Sequence, residues 1–229
     1  MKRNRLRIQE KSMLALVGYA AAEKEAVAAF MARFWDLDRG AIYTAGLPIQ
    51  EVDQPRFCRQ IAEVFRKVEL YNDTIYNNIK IARPDASPHE IIEAADQAQV
   101  LNFAWELPKG METRIGLGEY TLSQGEKQCL SIARALLSDA PIVLLDEALA
   151  SPKPERESAM QQAILHLQRT KTVVVVAQRL TTIQHADQIL VVANGGIAEA
   201  GKHAQLMAQD GPYRKIWDIQ QQYCGWAVH

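Results

Sequence analysis

Four short apolar runs, at residues 13–17, 142–145, 173–177 and 189–192, constrain the fold more than any other feature of this sequence. Each is continuous and rich in Leu, Val or Ile instead of alternating with polar residues. A strand reads this way when both of its faces are covered, the condition inside a parallel sheet. Parallel strands cannot be joined by a tight turn, so each pair needs a long crossover, normally a helix. The stretch between the second and third runs supplies one. There Ala159, Met160, Ala163, Ile164 and Leu167 recur at helical spacing against a polar face. Right-handed crossovers between such strands give a doubly wound α/β core.

Residues 70–138 contain no such strand-like run. They show helical patterns at 88–97 and 99–106 and a glycine-bearing segment at Gly116 and Gly118. Ser87 before Pro88, with Glu90 in the first turn, reads as a helix N-terminus. The expected organisation is an α/β core over 1–69 and 139–229, interrupted by an all-helical subdomain over 70–138. The tail from 211 to 226 places Tyr213, Ile216 and Trp217 as the apolar side of a closing helix.

Charge and composition exclude several classes of function. The 229 residues carry a formal net charge of −1, which offers no broad electrostatic footprint for nucleic acid or an anionic membrane. The basic start (Lys2, Arg3, Arg5, Arg7) leads into no long apolar stretch, so it does not read as a signal or transit peptide. No apolar run reaches the roughly 18 residues that a spanning helix needs. A membrane part, if the chain serves one, is expected on another chain or segment. Cys58, Cys129 and Cys224 are odd in number, widely spaced and without metal-ligand spacing, which fits a reducing compartment.

The motif with the most chemistry is Leu122-Ser123-Gln124-Gly125-Glu126-Lys127-Gln128, followed by the helical Ser131-Ile132-Ala133-Arg134-Ala135-Leu136-Leu137. A serine and a glycine opening a helix present a hydroxyl and bare amides at the positive end of its dipole, which suits a phosphate. An ordinary helix cap accounts for Ser123 but not for the whole heptad. The segment resembles the signature motif of ATP-binding cassette proteins, usually written LSGGQ or LSGGE. In that family it reaches across a dimer to the γ-phosphate of ATP held by the partner. Downstream, Ile142-Val143-Leu144-Leu145-Asp146-Glu147 is similar to the Walker B motif. The resemblance makes Asp146 the Mg²⁺ residue and Glu147 the one that orients the attacking water. The segment starting Ala177-Gln178-Arg179-Leu180-Thr181-Thr182-Ile183, and Gly196 to His203 after it, resemble exporter-type cassettes of siderophore or drug transport. The resemblance covers almost the whole chain. It implies a RecA-like P-loop core, ATP and Mg²⁺ as cofactors, a second cassette and a transmembrane domain as partners, and the cytoplasmic face of a membrane as the location. Repair and translation cassettes share the signature, but the exporter-like segment after Gln178 and the lack of basic insertions count against them.

Several positions depart from the family pattern. The phosphate-binding loop GxxxxGK[ST] falls on Gly18 to Glu25, with Gly18 and Lys24 in register. Glu23 replaces the glycine before the lysine, and Glu25 replaces the hydroxyl that would ligate Mg²⁺. Two carboxylates beside phosphates repel them by about 1–4 kcal/mol each at surface-like dielectrics. Residues 20–29 also have high helix propensity, so the segment equally reads as a helix that starts early. Arg66 stands where the family carries its Mg²⁺-sensing glutamine, and Gln178 where it carries the switch histidine. The D-loop falls on Ala150-Ser151-Pro152-Lys153, and the β-subdomain that carries an adenine-stacking aromatic upstream of the phosphate loop has no counterpart in these residues. Three readings remain open. The chain is an ATPase cassette that couples ATP to transport and gives Ser123 and Gly125 in trans while binding ATP weakly or not at all at 18–25; or a pseudo-ATPase regulatory module without turnover; or a non-functional remnant or redesigned sequence.

Overall fold

The computed structural model describes residues 7–37, 40–65, 67–116, 120–146 and 154–225, with 154–160 and 223–225 as backbone only. The order is β1 (Met13–Val17), α1 (Ala21–Met31), β2 (Tyr43–Thr44), β3 (Leu47–Pro48), α2 (Gln54–Cys58) and β4 (Ile61–Val64). Then come α3 (Ile75–Lys80), α4 (Pro88–Gln97), α5 (Leu101–Ala104), α6 (Gln124–Leu137), β5 (Ile142–Asp146), α7 (Pro154–Thr170) and β6 (Thr172–Val176). The chain closes with β7 (Gln188–Ala193), β8 (Gly196–Gly201), α8 (His203–Met207) and α9 (Pro212–Gly225).

All four apolar runs become strands of one sheet, ordered β4-β5-β6-β1-β7-β8. β1 lies between β6 and β7, parallel to both, and all five of its residues are buried. Its side chains alternate between two cores. Met13, Ala15 and Val17 join Val143, Leu145, Val173, Val175, Ile189 and Val191 on the face covered by the helices. Leu14 and Leu16 join Leu144, Val174, Val176 and Leu190 on the face covered by α1 through Ala28 and Ala32. Each fully buried leucine contributes about 1.5–3 kcal/mol, so a polar residue on either face of β1 is excluded.

Two strands of this sheet were not evident from apolar runs. β4 pairs parallel with β5, Glu63 standing opposite Leu144, and β8 pairs antiparallel with β7. Both lie at the sheet's edges, where one-sided exposure breaks the continuous apolar pattern. β8 alternates exposed and half-buried residues along its length.

Between β4 and β5, α3 and α4 pack on α6. Ser87 caps α4 as its sequence suggests, its hydroxyl accepting from the Glu90 amide while Glu90 reaches back to the Ser87 amide. The helix expected over 99–106 forms only as Leu101–Ala104. The reason is local: Gln99 sits at φ 62°, with the Val100 amide donating to the Ala95 carbonyl and the Gln99 amide to the Asp96 carbonyl. That pair of bonds is a Schellman closure, which ends α4 in a left-handed residue. The tail forms α9 as its apolar spacing indicates, with Tyr213 and Ile216 buried. Among the described residues no helix is long and apolar enough to cross a membrane.

Candidate functional site

The parallel strands β1, β5 and β6 end at the same edge of the sheet, the edge where open α/β sheets bind ligands. The segment after β1 holds Gly18, Glu23, Lys24 and Glu25; β5 ends at Asp146; and Ala177 and Gln178 follow β6. One cleft is lined by Gly18, Tyr19, Lys24, Gln178 and, from α9, Ile216 and Gln220. A neighbouring one is lined by Glu25, Phe34, Glu63, Phe65 and Asp146. Lys24 and Gln178 are thus brought together, and Glu25 is brought to Asp146. Glu147, Arg66 and the D-loop positions lie outside the described residues.

Most of 18–25 is helical. α1 begins at Ala21, two residues before Glu23, with Ala20 as a cap residue that makes no side-chain bond. Only three residues separate the strand from the helix. Gly18 is required for contact with the sheet, because a Cβ there would stand 2.5 Å from the Val192 carbonyl oxygen. Lys24, 6% exposed, donates from Nζ to the Ala177 carbonyl oxygen at 2.8 Å. Glu23 Oε1 accepts from the Gly195 amide at 3.0 Å, tying the first turn of α1 to the turn between β7 and β8. A buried ammonium or carboxylate is tolerated when hydrogen-bonded, and these bonds belong to the protein itself.

These residues do not fit a Mg²⁺-triphosphate at this loop. The segment that would wrap phosphates is already helical from Ala21, and the lysine is engaged by a carbonyl. The side that would take Mg²⁺ presents Glu25, Glu63 and Asp146 as three acidic groups on one cleft. Among the described residues no group of three acidic, His or Cys side chains has metal-binding geometry.

Glu63 had no sequence signal. As the partner of Leu144 it faces the α1 side of the sheet, among apolar residues. Burial raises its pKa to about 7, and its Oε2 finds no hydrogen-bond partner among the described residues. Gln220 was missed as well: it lies on α9 but bonds to the segment after β6.

The signature residues stand apart from both clefts, at the start of α6. Ser123 is the N-cap, accepting from the Glu126 amide, while Glu126 Oε2 accepts from the Ser123 amide at 2.7 Å. This reciprocal box satisfies two of the orphan donors of the helix and sets its entry angle. Leu122 is buried just before it, and Cys129, Leu130 and Ala133 anchor the helix in the larger core. Gln124 is exposed and Ser123 and Gly125 are partly exposed, so the helix start faces outward on a rigid mount.

Comparison with known proteins gives the same family as the motifs. Residues 1–150 match the family model described as ABC transporter. The ATP-dependent lipid A-core flippase of Legionella pneumophila (strain Paris) is 40% identical over 214 residues, covering 93% of this chain and 36% of that protein. The mycobactin import ATP-binding/permease protein IrtA of Mycolicibacterium smegmatis is 43% identical over 216 residues, covering 94% of this chain and 25% of that protein. Among solved structures, a bacterial Atm1-family ABC exporter with ATP bound superposes with a TM-score of 0.85 at 35% identity, over 93% of this chain and 37% of that one. The chain therefore spans about a third of the length of these relatives or less. A reading as a separate regulatory module draws no support from them. With a family model over more than half its length and relatives of this identity, the chain belongs to the ABC transporter family, whose domains of this kind bind ATP with Mg²⁺.

Proposed function

We propose that this chain is the cassette of an exporter-type transporter and works as the signature-donating half of a cassette pair. The observation that carries the reading is a contrast within one molecule. The start of α6 at Ser123 is capped, anchored and open to the outside, whereas at 18–25 Lys24 and Glu23 are bonded to the chain's own backbone. Ser123 and Gly125 then present a hydroxyl and helix amides to the γ-phosphate of an ATP held by the partner cassette. Gln124 is exposed beside them. The chain's own loop contributes weak nucleotide binding or none.

The rest of the reading follows from the family. Residues 1–69 and 139–229 form the core and 70–138 the helical subdomain, whose α3 and α4 support α6. The partners are a second cassette and a transmembrane domain, and the pair sits at the cytoplasmic face of the membrane. The relatives act on lipid A-core and mycobactin, so an amphipathic substrate is the class we assign to the whole transporter.

The experiment is to reconstitute the chain with a cassette that has an intact phosphate loop and measure ATP hydrolysis. Ser123→Arg in this chain places bulk and an extra charge at the helix start and is expected to lower the partner's rate at least tenfold. An unchanged rate sinks the reading and favours a module without turnover.

A further inference from the structure

Residues 177–179 belong to neither β6 nor the 3₁₀ turn at Leu180–Ile183 into which they lead. Backbone polar groups of 177–180 are instead taken up, one after another, by three different elements. The Ala177 amide donates to the Leu16 carbonyl of β1 at 2.9 Å. The Ala177 carbonyl accepts from Lys24 Nζ of α1 at 2.8 Å. The Gln178 carbonyl accepts from Gln220 Nε2 of α9 at 2.7 Å, and the Leu180 amide donates to Gln220 Oε1 at 2.9 Å.

The Gln220 carboxamide therefore uses both its donor and its acceptor on one short stretch of backbone, as a neighbouring strand would. Such a bracket fixes the orientation of the peptide groups on both sides of Arg179. α9 itself is held at its other end, where Tyr213 is buried and its hydroxyl meets His203 Nδ1 at 2.8 Å. The Tyr213 amide donates to Glu199 Oε2 at 2.9 Å, which joins α9 to β8. The bracket is thus mounted on a helix anchored to the sheet.

We propose that Gln220 is a positioning residue that, together with Lys24, holds the Gln178 segment in place without nucleotide. The chain's failure to fit a triphosphate at 18–25 and this internal tie are two sides of one arrangement. The lysine bonds to the segment it would otherwise share with a phosphate, and α9 completes the fixation. The segment is then static whether or not nucleotide is present. This goes beyond the trans-donor reading and does not depend on it, since the segment is read on the chain alone.

Hydrogen exchange followed by mass spectrometry tests the tie, with the peptide spanning Leu180 as the reporter. In the unaltered chain that peptide is expected to exchange slowly without nucleotide and at the same rate with millimolar Mg-ATP. Gln220→Ala is expected to speed its exchange at least tenfold, while peptides of β1 and β6 keep theirs. Gln220→Glu keeps an acceptor for the Leu180 amide but turns its second oxygen on the Gln178 carbonyl, so it is expected to restore only part of the protection. Slowing by Mg-ATP in the unaltered chain overturns the proposal, because nucleotide would then order the segment. So does unchanged exchange in Gln220→Ala, or equal loss in the Ala and Glu variants. A failed trans-donor assay leaves the Gln220 outcomes unaffected, whereas slowing by Mg-ATP also counts against the weak or absent binding proposed for 18–25.

Discussion

At the scale of single residues, Glu63 is the most exposed to test. A carboxyl placed among Leu144, Ala28 and Phe34 loses hydration, and its pKa rises from 4.5 to about 7. A raised folded-state value means the folded chain holds its proton more tightly than the unfolded chain does. The contribution of Glu63 to stability is therefore fully present below pH 4.5 and is lost as pH rises through 7. Glu63→Leu is expected to raise unfolding stability at pH 8 by about 1–2 kcal/mol, the full shift being discounted for partial exposure. At pH 4.5 the gain should largely vanish, as urea titration at the two pH values will read. A gain independent of pH contradicts the assigned cause.

Among elements, α4 and α6 show how far local rules reach. Both start with a serine cap and a glutamate three residues on, and both form reciprocal boxes at those residues. Such boxes depend on four consecutive residues, which is why they are readable in the sequence. The end of α4 is not readable in the same way. Gln99 takes the left-handed position that glycine fills at low cost, so helical periodicity continues in the sequence past the point where the helix stops. Gln99→Gly is expected to stabilise the chain by about 0.5–1 kcal/mol, measured as a higher urea midpoint at constant slope. Destabilisation by the glycine would mean that the Gln99 side chain, whose Nε2 donates to the Asp96 carbonyl, outweighs the backbone strain. At the start of α1 the same local rules decide where the helix begins. Helix propensity over 20–29 is realised from Ala21, which consumes the loop that would wrap phosphates.

For the molecule as a whole, β1 couples the parts. Its alternate side chains belong to the two cores on opposite faces of the sheet, so neither core can open while the other persists. Unfolding is therefore expected to be a single transition, with backbone circular dichroism and tryptophan fluorescence, to which Trp217 packed on the larger core contributes, giving coincident curves. Separate midpoints would divide the helical stretch from the sheet and revive the remnant reading. The buried strands, the crossover helix, the capped helix starts and the family were legible in the sequence, because continuous apolar runs and helix capping are written within a few neighbouring residues. Where Lys24, Glu23 and Gln220 point was decided only by tertiary structure. Lys24 bonds across 153 positions, Glu23 across 172, and Gln220 across 40 and 42. No local pattern records a bond of that span. It exists because the sheet order sets β1 between β6 and β7, bringing the start of α1 against the segment after β6, while α9 returns to close over it.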